Sequence, residues 1–249
     1  MPRRAVAGVS LTEPGDVMFD LQGFGPMLLL GAWMTVQVAL AAAFFGVFLG
    51  LGAALMKLSG SRIARFVGDL YTTVMRGVPI LVVILLFYFG AIAGVNAIAR
   101  SLGHAQFIDL SAFVAGTAAL SLAFGAYATE VFRGAFQSIP KGQIEAARAL
   151  GMSRFTAFRR VALPQVWRLA LPGLGNIFLV ILKETALVSV IGLEELMRKT
   201  EYAVGFTRQP FTFFLFAALL YLSMTVLAMV VLQQLEKRAN RGIVRGVGA

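Results

Sequence analysis

Five long apolar runs, roughly 27–56, 78–99, 111–133, 169–192 and 211–234, constrain this chain more than anything else in it. A helix needs about 20 largely apolar residues to cross about 30 Å of hydrocarbon, and every run is long enough. Inside that layer no water is available to the backbone, so each run must satisfy its own hydrogen bonds as a helix. The second run carries Pro79, Gly90 and Gly94, which membrane helices tolerate when neighbours satisfy the freed backbone groups. Composition agrees: 59% of the residues are hydrophobic, only 14% are charged, and the mean hydropathy is +0.82. The expected fold is all-α and integral to the membrane, with five transmembrane helices.

A net charge of +10 raises the question of nucleic acid. The basic residues, however, lie between the apolar runs, where topology alone accounts for them. Lys57, Arg62, Arg65 and Arg76 follow the first run. Arg133, Lys141, Arg148, Arg154, Arg159, Arg160 and Arg168 follow the third, and Lys237, Arg238, Arg241 and Arg245 follow the fifth. The stretches 100–110 and 194–208 are balanced by Asp109, Glu194, Glu195 and Glu201. The basic set is therefore expected in the cytoplasm, with the N-terminus outside and the C-terminus inside. This divides the chain into an extracytoplasmic segment 1–26, a membrane domain 27–234 and a basic cytoplasmic tail 235–249. Arg3 and Arg4 precede no signal-peptide core, because Glu13, Asp16 and Asp20 interrupt the sequence there. The first apolar run is expected to serve as its own insertion signal.

Several chemistries are excluded. The chain has no cysteine and one histidine, His104, so disulfides, thiolate chemistry and histidine-cluster metal sites are not expected. No phosphate-binding glycine loop, nucleophile elbow or zinc motif is present, so no catalytic residue is assigned. Any energy source must lie in another polypeptide.

The connection after the third run carries the most information. Pro140 lies near a helix start, and Ile144, Ala147 and Leu150 recur at helical spacing. Gly151 is placed to end that helix, and Ser153 to cap a second one whose apolar side holds Phe155, Phe158 and Val161. Pro164 is expected to end the second helix, leaving a short helix–turn–helix below the membrane with aromatic and basic groups outward. An exposed phenylalanine forfeits about 2 kcal/mol of burial. The apolar side therefore packs either under its own bundle or on a partner.

Glu145-Ala146-Ala147, then Gly151, then Val161, Leu163 and Pro164 resemble the signature of ABC-importer permeases: EAA, three residues, Gly, nine residues, an aliphatic residue, one residue, Leu-Pro. Arg76-Gly77-Val78-Pro79 is similar to the element that opens the second span in the polar amino acid uptake family. Tyr127, Glu130, Arg133-Gly134 and the stretch from Ile139 to Gln143 resemble that family's third-span motif, and Leu182 to Ser189 its fourth-span motif. The pattern is most similar to the histidine, lysine, arginine and opine branch.

The resemblance implies a type I ABC importer permease in the bacterial inner membrane, with a coupling helix in loop 138–168 that docks in a groove of a separate ATPase. It implies a pair of ATPase subunits binding ATP and Mg, with no cofactor on this chain. The other partners are a second permease chain (the same or a relative), an extracytoplasmic substrate-binding protein and an amino acid substrate.

Lys183 and Glu184 fall inside the fourth span, where an ionisable group faces a partner or a wet cavity. Either Glu184 attracts a cationic substrate, or both charges pair with neighbouring helices. Asn176 and Thr185 either line the same path or bond backbone carbonyls. Glu130 and Arg133, spaced i, i+3, are expected to form an ion pair. Pro79 either kinks the second span or starts it, and Arg76 stands beside it as a gating candidate. Ala42, Gly46, Gly50 and Ala54 form a small-residue stripe suited to close helix approach, unless they merely reflect how common small residues are in membrane helices. An ion-coupled secondary transporter would need an internal repeat, which the chain lacks. A non-transporting scaffold would not need charges within a span.

Overall fold

The computed structural model describes residues 21–240 apart from 104, 105 and 107. Residues 1–20, His104, Arg241 and Arg245 therefore lie outside the described residues. Among those described, every regular element is helical: α1 (Gly25–Leu58), α2 (Arg62–Gly77), α3 (Ile80–Ser101), α4 (Ala112–Gln137), α5 (Lys141–Ala149) and α6 (Arg154–Ala157). A π-helical turn, Phe158–Ala162, leads into α7 (Leu163–Glu184), and a 3-10 segment, Thr185–Ile191, leads out of it. The short α8 (Leu196–Thr207) and the long α9 (Pro210–Ala239) complete the fold.

Five stretches are long and apolar enough to cross a membrane: α1, α3, α4, the continuous 154–191 unit and α9. They correspond to the five apolar runs. α4 is the hub, with 67% of its apolar window buried against 6% for α9. It packs most extensively on α1 and next on α7. The small-residue stripe makes that α1–α4 contact possible. Ala42, Gly46, Gly50 and Ala54 are all buried, and a Cβ on Gly50 would lie 2.6 Å from Cβ of Ala128. Gly46 is as tight against Phe124, at 2.7 Å. The stripe is an interface between α1 and α4, built from residues small enough to let two backbones approach.

Two sequence expectations are corrected and one open alternative is decided. Pro164 does not end a helix: the chain runs helically from Arg154 to Ile191, so the helix–turn–helix has its turn but no second stop. A proline inside an α-helix lacks a donor and presses on the carbonyl four residues back. Here the N–H of Leu163 bonds Phe158 O, five residues back, and the widened turn accommodates Pro164. Lys57–Arg76 is not a plain loop but contains α2, and 194–208 contains α8. Pro79 is the residue before α3, so it starts the second span rather than kinking it.

Candidate functional site

α5 ends in a complete Schellman motif. Gly151 takes a φ of 80°, its N–H donates to Arg148 O, and the N–H of Met152 donates to Ala147 O. Ser153 then caps α6, accepting from the Thr156 N–H at 3.2 Å. Both helix signals therefore work as their sequence suggested. Ala147 is buried beneath α5, while Glu145 and Ala146 are exposed. The aromatic residues divide. Phe158 stacks on Phe136 with centroids 6.0 Å apart, holding the segment against α4. Phe155 and Leu150 point away from the bundle, 70% and 80% exposed. Gln165 donates to Gln143 Oε1 at 2.7 Å, tying α5 to the first turn of α7. Val161 and Leu163 are half-buried along that turn and Pro164 is exposed. The arrangement is a short helix tied near its start to α7 and closed by the Gly151 cap, with an exposed apolar edge.

The same end of the bundle holds a charge cluster. Arg133 and Glu130 form the expected i, i+3 ion pair at 2.8 Å. The sequence reading missed the third member: Lys57 reaches Glu130 Oε1 at 2.6 Å, Asp69 Oδ1 at 2.9 Å and Thr72 Oγ1 at 3.0 Å. One ammonium thus joins α1, α2 and α4. Arg76 lies over the Tyr127 ring, 5.4 Å from its centroid, giving α2 a further hold on α4.

α7 presents an exposed stripe. Leu169, Pro172, Asn176, Val180 and Lys183 are exposed at helical spacing, while Leu174, Gly175, Ile181 and Leu182 are buried behind them. Among the described residues neither Lys183 nor Glu184 makes an ion pair within the chain. The reading in which both pair with neighbouring helices of this chain is therefore not met. Thr185 departs from the stripe: it is fully buried and donates to Leu182 O at 2.8 Å. Asn176 and Lys183 share one face, and Thr185 belongs to the interior.

Residues 46–241 match the family model described as the binding-protein-dependent transport system inner membrane component. The chain belongs to this family. It is a multi-pass inner-membrane permease. An octopine transport system permease protein of Rhizobium radiobacter is 44% identical over 233 residues, covering 92% of this chain and 98% of the relative. A histidine/lysine/arginine/ornithine transport system permease protein of Salmonella typhimurium is also 44% identical, over 90% of this chain and 98% of the relative. Among solved structures, a crystal structure of an amino acid ABC transporter with histidines superposes with a TM-score of 0.73 at 36% identity, covering 88% of this chain and 96% of that one. The fold is that of a type I ABC importer permease.

At the opposite end of the permease from Lys57 lies a group that sequence reading passed over. Glu195 is fully buried at the N-cap of α8. Its Oε1 accepts the Arg198 N–H at 3.0 Å, and its Oε2 accepts from Tyr221 Oη at 2.9 Å and Thr35 Oγ1 at 3.3 Å. Burial pushes the carboxyl above the usual glutamate range, against the opposing pull of those hydrogen bonds. Its signal in the sequence was slight, one acid among three in an apparently balanced loop. Among the described residues no group of three potential metal ligands is present.

Proposed function

We propose that this chain forms half of the translocation path of an ATP-driven importer for a polar, basic amino acid or opine, delivered by an extracytoplasmic binding protein. The observation that carries the reading is α5. The EAA–Gly spacing falls on a capped helix at the basic end of the bundle, with Leu150 and Phe155 left exposed. Those side chains fit a groove in a separate ATPase, which binds ATP and Mg. The Lys and Arg bias supports placing this end in the cytoplasm and the N-terminus outside.

The attachment of α5 through Gln165 and Phe158 gives a route for motion. Displacing α5 displaces the foot of α7, whose other end carries Lys183 and Glu184. A second permease chain, identical or related, supplies the wall opposite Asn176, Val180 and Lys183. Glu184 then contributes the negative charge that attracts a cationic substrate. The relatives named for octopine and for histidine, lysine, arginine and ornithine support a basic or opine cargo.

The test is ATP-dependent uptake by the assembled transporter in proteoliposomes, comparing wild type with Gly151→Val and Glu184→Gln. Gly151→Val is expected to abolish uptake while the chain still inserts, because a β-branched residue resists the positive φ at which a Cβ meets nothing else. Glu184→Gln is expected to lower uptake of arginine more than that of a neutral amino acid. Normal coupling in Gly151→Val would sink the α5 assignment, and equal losses for both substrates would sink the role of Glu184.

A further inference from the structure

α2 has three faces rather than two. Gly68 and Thr72 are buried against α1, with Ala64, Tyr71 and Met75 half-buried beside them. A second arc is polar and exposed: Arg62, Arg65, Asp69, Thr73 and Arg76. The third arc is apolar and exposed: Ile63 (78%), Phe66 (66%), Val67, Leu70 and Val74. These last five fall within about 100° of one another at 100° per residue, so they form one continuous strip. A soluble helix does not leave such a strip open.

The depth of α2 follows from its contacts. Lys57, in the last turn of α1, meets Asp69 and Thr72, and Tyr71 Oη donates to Leu122 O in the first half of α4 at 2.7 Å. α4 continues well past that level to Gln137. α2 therefore runs beside the bundle from the end of α1 toward the middle of α4, with Arg62 and Arg65 at the end nearest the α1–α2 connection. An open apolar groove runs between it and the lipid-facing side of α1, lined by Phe45, Phe48, Met56, Val67, Tyr71 and Leu122. Asp69 is engaged by Lys57 and Arg76 by Tyr127. Among the described residues, Arg62 and Arg65 have no carboxylate partner.

We propose that α2 binds an anionic phospholipid, with Arg62 and Arg65 on its headgroup phosphate and an acyl chain along the adjoining apolar strip at Ile63, Phe66 and Leu70. A basic arc beside an apolar strip, level with the end of a membrane span, is the pattern that suits such a lipid. Guanidinium groups suit a phosphate better than ammonium groups do, because they present a planar fork of donors. The inference does not depend on which solute the permease carries.

The assembled transporter in nanodiscs of phosphatidylcholine mixed with phosphatidylglycerol provides the test. Lipid retained after purification is counted by native mass spectrometry. Each basic residue near an anionic surface contributes about a fivefold preference, so Arg62→Gln with Arg65→Gln is expected to lower the preference for phosphatidylglycerol roughly thirtyfold. Arg62→Lys with Arg65→Lys should keep most of it. A photo-crosslinking amino acid in place of Phe66 should label lipid in the wild-type background. Unchanged lipid preference in the glutamine pair would overturn the proposal, as would a Phe66 crosslink to the ATPase or to a second permease chain. If the glutamine pair does not assemble, the lysine pair and the crosslink still decide: loss of the preference in an assembled lysine pair, or no lipid label at Phe66, would overturn the proposal.

Discussion

Nζ of Lys57 lies 2.6 Å from Oε1 of Glu130, so the last turn of α1 is fastened to α4 by a part-buried ion pair between residues 73 positions apart. Gly68 makes this possible. A Cβ there would come within 2.7 Å of Lys57 Cγ, so only a glycine on α2 leaves room for the lysine stem. Glu130 in turn holds Arg133, at the level where α4 leads into the connection to α5. The cluster is therefore the clamp from which the α5 segment hangs.

Replacing Lys57 with Met leaves Asp69 without its cation and Glu130 with Arg133 alone. Because the pair is only partly desolvated, the expected cost is about 2 kcal/mol, below that of breaking a fully buried pair. Adding Glu130→Gln should cost less than the sum of the single changes, with a coupling of roughly 1–2 kcal/mol. Equilibrium unfolding in mixed micelles measures all three variants. Strict additivity would mean that Lys57 and Glu130 contribute no coupling energy to each other.

Gly50 and Gly52 provide a matched pair on α1. A Cβ on Gly50 would stand 2.6 Å from Ala128 Cβ and 3.0 Å from Gly125 O, whereas one on Gly52 meets nothing within 4 Å. Gly50→Ala should therefore force α1 and α4 apart and destabilise by about 1–3 kcal/mol. Gly52→Ala should be neutral or slightly stabilising, since alanine is the better helix former. The comparison is read from the thermal midpoints of the two purified variants. Equal midpoints would remove the close-packing account of the stripe.

How far the sequence could be read follows from the range of the forces involved. Hydropathy over a window reports the solvent around a helix, so the five spans were legible, although the fourth starts at Arg154 rather than near 169 because its first turns are polar. Caps are local, so the roles of Gly151 and Ser153 were legible too, as was the Glu130–Arg133 pair one turn apart. Lys57 was not, because its partners come from two other helices and nothing in the spacing names them. α2 was hidden for another reason: its apolar strip is too short to span and was read as a basic loop, although Ile63, Phe66, Leu70 and Val74 recur at helical spacing. Pro164 misled because the rule against proline in a helix assumes a regular turn before it, and here the turn is wide.

Glu195 should make stability depend on pH. Burial raises its folded pKa above the unfolded value, so the folded state binds this proton more tightly. The unfolded state then holds fewer protons in the window between the two values, and stability falls there as pH rises. The contribution of Glu195 should be greatest below the ordinary glutamate range and be lost as pH climbs through the raised folded value. Glu195→Gln retains a polar group for Tyr221 and Thr35 but cannot ionise, so its stability profile should be flatter across this window. Thermal midpoints of both proteins across mildly acidic to neutral pH provide the check, and identical slopes would count against a buried, titrating carboxyl.

The face of α7 proposed to line the path can be mapped without background labelling, because the chain contains no cysteine. Asn176 and Lys183 lie on the exposed stripe, and Thr185 lies fully buried two residues beyond it. Each is replaced singly by cysteine in the assembled transporter and treated with a membrane-impermeant thiol reagent. Asn176→Cys and Lys183→Cys should react, and a delivered substrate should slow the reaction, since the reagent then competes for the same wet space. Thr185→Cys should stay unmodified until the protein is unfolded, because its position faces the interior beside Leu182. A reactive Thr185→Cys alongside protected Asn176→Cys and Lys183→Cys would place the water-filled path on the other side of α7. The exposed stripe would then have to face lipid, an untenable position for an unpaired lysine ammonium within a span.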